Sequence, residues 1–564
     1  MNRTSLLQKP LMLQFLIAAI AALVFIPFLG GVHLFDWDEI NFAESAREMI
    51  LTKNYLTVQI NFLPFWEKPP LFIWMQVLSM KAFGINEFAA RFPDAICGMA
   101  TLLILFKIGR KLRNEKFGLL WVMMYGCSWL PFIYFKSGII DPWFNLFIFT
   151  GIWFFILYAF DLKQKAKTTR LLGFLALSAL FLGLAVLTKG PVAVLVFALV
   201  FSVYYIISKD RIPLKIFHVF FFILALAFVG GFWFILQVLN GHASVVMDFI
   251  RYQAKLFSTK DAGHGGFLFY HFLVLLIGVF PASWLALPRL FRKTGDTPLQ
   301  LLFDRWMKIL FWVVLILFTI VKTKIVHYSS LCYFPITFIA ASFVYQVVER
   351  KARIKGWLTG LIVIMAVLMA IFTGVIPFID DFKSIIIQKG WIKDAFAAGN
   401  LEANGEWTGW ESLASLILLL GVFAFVWMRY SLRGITWLLV SSAVFAGSLA
   451  VLYAPRIEKY SQAAAIEFYQ KMAGKNVSVN TLNFKSYATL FYFKKPVPDK
   501  PQPKIPEELL YGPLDRDAYF VIKNTQKESI LSRFPDLKVV AEKNGFVFLL
   551  RSKSVSLQEN EKNK

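Results

Sequence analysis

The chain has 564 residues, of which 58% are hydrophobic and only 17% charged, and its formal net charge is +24. A soluble chain of this length divides into several domains and carries about a quarter charged residues, so an ordinary soluble protein is excluded. Nucleic-acid binding does not follow from the positive charge, because much of that charge lies in short loops between apolar runs.

Runs of roughly 20 apolar residues, enough to cross a hydrocarbon core of about 30 Å, recur from the start of the chain. In lipid such runs must be helices, because every backbone donor and acceptor has to be paired within the segment. They predict an all-α polytopic membrane protein over residues 1–453, with about thirteen spans. The spans fall roughly at 11–31, 87–106, 117–135, 140–160, 171–188, 190–207, 214–238, 267–288, 308–321, 325–347, 357–378, 413–428 and 434–453. The first run is long, lacks a clear small-residue cleavage site and is followed by further spans, so it reads as a span and not as a signal peptide. Cys97, Cys127 and Cys332 all fall within spans, and no disulfide framework is visible.

Every second loop is basic. The series begins with Lys107, Arg110, Lys111, Arg113 and Lys116 and continues through Lys163–Arg170, Lys209–Lys215, Arg289–Lys308 and Arg350–Lys355 to Arg429 and Arg433. The positive-inside rule puts these loops in the cytoplasm. The protein is then expected in a bacterial inner membrane, with its N-terminus cytoplasmic and its C-terminal tail periplasmic. The remaining loops face out. The longest, 32–86, carries two amphipathic stretches, Asp38–Leu51 and Pro69–Phe83, which read as helices lying in the membrane interface. Beyond Tyr453 no run is long enough to span. Short β-rich segments (Val477–Leu482, Tyr519–Lys523, Leu537–Ala541 and Phe546–Arg551) alternate with helical patterns such as Gln462–Met472. They predict a small extracytoplasmic α/β domain at 454–554, with a disordered tail at 555–564.

The outward loops collect the ionisable residues that stand out, and charges at the edge of hydrocarbon are costly unless paired or used. Asp38 and Glu39 open a helix. They serve either as cap and dipole complement or as carboxylates placed to take a proton from an acceptor hydroxyl. Glu67-Lys68-Pro69-Pro70 is another helix start, where free amides beside Lys68 would suit a phosphate. Lys136, Asp141 and Lys189 read either as snorkelling side chains with a structural ion pair or as part of a site. Lys255, Asp261 and His264 lie in one outer loop, the last two within DAGHGG. That stretch is either a flexible loop or, at His264, a metal or phosphate ligand. Lys322, Lys324, His327 and Tyr328 follow at the outer end of a span, either as its snorkelling cationic end or as a group that would serve a lipid-linked phosphate.

Five segments together carry a resemblance: DEINFAESAREM (38–49), FWEKPPLFIW (65–74), FGINEFAARFPDAI (83–96), LTKGP (187–191) and DAGHGG (261–266). In this order they resemble the protein O-mannosyltransferase-like membrane glycosyltransferases, and among these the lipid A aminoarabinose transferases. The resemblance implies a type C glycosyltransferase fold. It implies transfer of a sugar from a polyprenyl phosphate donor to an acceptor outside the cytoplasmic membrane, lipid A or a glycoprotein, with no nucleic-acid partner. By motif, Asp38, with Glu39 beside it, stands at the catalytic position. Glu67 matches a residue associated with a bound divalent metal, zinc, with His264 as a second ligand. Lys68 and Tyr328 match contacts to the carrier phosphate. Asp141 and Lys189 match a structural pair near the cavity. Lys255 stands where the family has a phosphate-binding arginine, and as a lysine it offers only a point charge. The rival class is a transporter or flippase of lipid-linked substrates, which usually shows repeat symmetry and ionisable residues near the bilayer midplane. Neither is evident here.

Overall fold

The computed structural model describes residues 10–36, 38–65, 67–208, 211–258, 266–292, 295–350, 354–428, 431–498 and 509–553, the side chains of 254–258 and 350 excepted. Each predicted span has a helical counterpart. Eight of these helices are long and apolar enough to cross a membrane among the described residues, or nine if one bent pair counts as a single span. The differences from the expected spans have local causes. The run 117–135 is two helices, Glu115–Gly126 and Trp129–Tyr134, broken where Ser128 turns its hydroxyl back to the Met124 carbonyl. The run 267–288 is also two, Tyr270–Gly278 and Ala282–Arg289, bent by 103°. The expected 308–321 span starts ten residues earlier, at Pro298. A capping box between Thr297 and Gln300 opens that helix, and Asp304 neutralises Lys308 one turn on at 2.9 Å.

Aliphatic and aromatic side chains together pack the membrane core, with Trp121, Trp306 and Phe303 fully buried. Small residues let backbones approach. A Cβ on Gly109 would stand 2.7 Å from the Gly118 Cα, so the Glu87–Leu112 and Glu115–Gly126 helices touch there.

The loop 32–86 departs from the expectation of two interfacial helices. The Asp38–Thr52 helix is buried on nearly all sides, charged positions included, from Glu39 through Met49. The C-terminal residues pack on its apolar face, and Arg47 of its polar face reaches the Lys495 carbonyl. Leu34, Ile40, Ala43, Ala46 and Met49 share one apolar core with Ile466, Tyr469, Phe491 and Phe548. This core runs across the boundary drawn at 453. The second helix, Leu71–Phe83, does keep an outward apolar face, with Leu78 69% exposed.

Within residues 478–551 four strands form one sheet. Ser478–Thr481 runs parallel to Ala518–Lys523, which pairs antiparallel with Phe546–Arg551, and Lys538–Lys543 closes the far edge. Alternation along the strands gives each face its own core. Phe520, Ile522, Val547 and Leu549 pack under Ile530 and Phe534, while Val521 and Phe548 turn toward the Asp38–Thr52 helix. The tail 555–564 lies outside the described residues.

Candidate active site

Four segments far apart in sequence converge beside the N-terminus of the Asp38–Thr52 helix. The helix Thr168–Lys189 ends in Lys189 because Gly190 follows with φ +107, a conformation that L residues avoid. A side chain on Gly190 would also meet the Phe249 ring at 2.7 Å. Asp141 begins the helix Asp141–Lys163 with Pro142 in the first turn, an end that favours a carboxylate. His327 and Tyr328 sit in the 3-10 turn Val326–Cys332. Lys68 lies just before Pro70, the N-cap of Leu71–Phe83.

These side chains line a cavity of about 290 Å³ together with Asp38, Glu67 and Tyr252. Lys189 Nζ donates to Asp141 Oδ1 at 2.6 Å. His327 Nε2 lies 3.4 Å from Asp38 Oδ2 and 3.7 Å from Asp141 Oδ2, so one imidazole bridges the two carboxylates. The Lys189 ammonium stands over the Tyr328 ring at 5.1 Å, and that of Lys68 over Tyr252 at 6.0 Å. Burial, reinforced by the nearby Lys189 charge, lowers the Lys68 pKa, against the pull of Asp38, Glu67 and Asp141. Asp38, at 32% side-chain exposure, is the open carboxylate of this group, whereas Asp141 at 4% is enclosed.

A second, apolar cavity shares Lys68, Asp141, Lys189 and Tyr328 with the first. It continues along Phe144, Val192, Val196, Leu317 and Phe318. The two together form a charged chamber with an apolar extension. This geometry suits a ligand with an anionic head and a hydrocarbon tail.

Other residues singled out in the sequence are committed elsewhere. Glu39, expected beside Asp38 at the catalytic position, has both carboxylate oxygens engaged by neighbours. Arg91 donates to both Glu39 oxygens, at 2.8 and 3.0 Å, and the Glu39 carboxylate also accepts from the Phe35 and Gly138 amides. The carboxyl is held below its usual range: the Arg91 guanidinium beside it outweighs the opposing effect of burial, the largest single influence. Lys136 donates to the carbonyls of Phe25 and Pro27 at the end of the first helix. Lys324 does the same for Phe318, Thr319 and Val321. Both satisfy carbonyls that a helix terminus leaves open. Lys255 is on the helix Ala243–Ser258, but its side chain lies outside the described residues, as does His264.

Of the two residues expected to hold zinc, Glu67 lines the cavity and His264 lies outside the described residues. Among the described residues no three His, Cys, Asp or Glu side chains group as metal ligands, and Glu67 has the Lys68 ammonium next to it in the cavity wall. The sequence reads His327 only as part of a group, with Lys322, Lys324 and Tyr328, that would serve a lipid-linked phosphate. Its signal was its place next to Tyr328 on the outward side, but a lone histidine in a 3-10 turn does not announce two carboxylate partners.

Residues 67–234 match the dolichyl-phosphate-mannose-protein mannosyltransferase family. The undecaprenyl phosphate-alpha-4-amino-4-deoxy-L-arabinose arabinosyl transferase of Photorhabdus laumondii is 24% identical over 447 residues, 78% of this chain and 75% of that protein. Its counterpart in Pectobacterium atrosepticum is 25% identical over 69% of this chain and 72% of its own length. The crystal structure of ArnT from Cupriavidus metallidurans bound to undecaprenyl phosphate superposes with a TM-score of 0.72 at 18% identity. It covers 96% of this chain and 98% of that one. The apo form gives 0.74 at 19% identity with the same coverage. The chain is thus similar in sequence to the aminoarabinose transferases over most of its length, and it has the fold of ArnT.

Proposed function

We propose that this chain is an integral membrane glycosyltransferase that moves a sugar from a polyprenyl phosphate donor to lipid A on the periplasmic face of the inner membrane. The observation that carries this reading is the junction of the two cavities. Lys68, Lys189 and Tyr328 line both the charged chamber and its apolar extension, which suits a phosphate head with a hydrocarbon tail. The names of the sequence relatives, which specify an undecaprenyl phosphate-linked aminoarabinose, support the same donor class.

The chemistry needs little beyond charge and placement. The bond from the anomeric carbon to the donor phosphate breaks, and a new bond forms from that carbon to an acceptor oxygen. The electron pair leaves with the polyprenyl phosphate, whose added charge Lys68 and Lys189 stabilise. When the acceptor is a hydroxyl, its proton goes to Asp38. When it is a phosphate of lipid A, the oxygen is already ionised, and Asp38 with His327 orients it. Asp141 holds Lys189 and His327 in register.

In this reading the chain crosses the membrane about thirteen times, shorter helices included. The basic loops are cytoplasmic, and residues 32–86 and 454–554 are periplasmic. A protein acceptor is the second reading, favoured by the match of residues 67–234 to a protein mannosyltransferase family. Mass spectrometry of lipid A and of surface glycoproteins, from cells with and without this protein, decides between them. A pentose-sized adduct on lipid A that disappears with the gene supports the first reading. A lost glycan on protein, with lipid A unchanged, replaces it with the second.

A further inference from the structure

The segment that leads into Asp38 has no regular secondary structure of its own among the described residues between Phe25 and Asp38. Its backbone amides and carbonyls need partners from elsewhere, since buried ones left unpaired are costly. Two sources supply them. On the membrane side, Arg91 donates to the carbonyls of Leu29, Val32 and His33 at 2.8 to 3.0 Å while pairing with Glu39. On the other side the partners come from the C-terminal residues, more than four hundred positions away. Gln462 uses both ends of its carboxamide: Nε2 donates to the Leu34 carbonyl at 2.8 Å, and Oε1 accepts from the Asp36 amide at 3.2 Å. The Tyr492 hydroxyl accepts from the Leu34 amide at 2.6 Å. Asp36 Oδ1 in turn accepts from the Tyr487 amide at 3.3 Å.

Gln462 is well placed to fix this geometry. It is the N-cap residue of the helix Ala463–Met472, and its own amide donates to the Glu458 carbonyl at 3.2 Å. A side chain held at a helix start moves little. The two contacts it makes bracket Phe35, whose amide donates to Glu39. Leu34 to Asp36 and Glu39 are therefore held on either side, and His327 faces the Asp38 carboxylate at 3.4 Å.

We propose that Gln462 is a positioning residue for transfer. Through the Leu34 and Asp36 backbone it sets where Asp38 stands in the cavity, which makes the C-terminal unit a working part of the active site. This inference rests on Asp38 acting in the reaction proposed above. Displacement of a reacting group by about 1 Å can cost a factor near one hundred. Gln462→Leu is therefore expected to lower kcat roughly 10- to 100-fold, with polyprenyl phosphate affinity and the KM for the donor unchanged, because Lys68 and Lys189 stand on other elements. Gln462→Glu, which can accept from Asp36 but cannot donate to Leu34, should lie between the two. A merely structural role would not give the last expectation: in an Asp38→Asn background, Gln462→Leu should produce no further loss.

The test is steady-state transfer by full-length protein in detergent with these four proteins: wild type, Gln462→Leu, Asp38→Asn and the double variant. Polyprenyl phosphate binding is measured on each. Equal kcat in Gln462→Leu and wild type overturns the inference. So do losses that multiply in the double variant, or a loss that appears as weaker carrier binding. Should Gln462→Leu fail to fold, Tyr492→Phe, which removes the acceptor for the Leu34 amide, takes its place under the same criteria. Absence of transfer by the wild type would instead defeat the proposed function and is read separately.

Discussion

Asp38 and Lys68 divide the proposed chemistry between them, and each can be tested alone. Asp38→Asn removes the charge and keeps the size. Transfer should fall by at least about 100-fold, the scale of general-base and electrostatic roles, with carrier binding retained. Near-normal turnover would reduce Asp38 to a helix cap. Lys68→Ala should weaken binding of polyprenyl phosphate itself by roughly 1.5–3 kcal/mol, the range for a charge-assisted hydrogen bond. Lys53→Ala, exposed on the same loop, should leave it unchanged. Burial also gives this contact a pH signature. Because the Lys68 pKa lies below the ordinary lysine value of 10.5, its ammonium is lost earlier as pH rises. Carrier affinity should therefore decline on the alkaline side in wild type and not in Lys68→Ala. The sequence made Asp38, Lys68, Asp141, Lys189 and Tyr328 stand out because each is a charge or polar group at an apolar edge, where it must be explained. It could not separate Glu39 from Asp38. Adjacent residues on a helix point in different directions, and only the fold brings Arg91 from a distant helix to one of them and not the other.

The Asp38–Thr52 helix was legible as a helix but not as a buried one. Its polar face carries Glu44, Arg47 and Glu48, which read as solvated. In the structure Arg47 makes two bonds of 2.7 Å to Glu44 and a third, of 2.9 Å, to the Lys495 carbonyl. Glu48 accepts from the Asn61 and Phe62 amides at 2.6 and 2.8 Å. Burial, helped by Glu44, pushes the Glu48 carboxyl up to about 9. A carboxyl raised in the folded state stabilises fully below its unfolded value of 4.5, and that contribution is lost as pH rises toward 9. Burial holds Lys495 down to about 8, and it acts in the opposite sense only above that pH. Between about pH 5 and 8 the melting temperature of the wild type should thus fall with rising pH. Glu48→Gln gives up one amide acceptor, so it should be less stable at the acid end but flatter across the window. A steeper slope in the variant would show that Glu48 is ionised in the fold. The spans were legible because hydropathy is a property of a run. The breaks at Ser128 and at 279–281 were not, because each depends on contacts made by the folded bundle.

At the scale of the whole molecule, the proposed orientation puts the basic loops and the charged chamber on opposite sides of the membrane. In a background lacking the three native cysteines, Leu63→Cys and Lys538→Cys should react with an impermeant thiol reagent in intact spheroplasts, while Gln164→Cys and Arg292→Cys should not. Labelling of position 164 without 63 would invert the orientation. The sequence divided the chain at 453. The fold joins the two parts through a shared core, a relation that a composition change cannot show because both sides of that core are apolar. The central claim is that this chain converts its donor and does not merely carry it. The most direct measurement uses purified protein in detergent, with no second compartment, supplied with polyprenyl phosphate-linked aminoarabinose and lipid A. The account predicts sugar-modified lipid A and free polyprenyl phosphate appearing in equal amounts, abolished or nearly so in Asp38→Asn. Donor that binds but stays intact here, yet moves between leaflets when the protein is reconstituted in sealed vesicles, would contradict it.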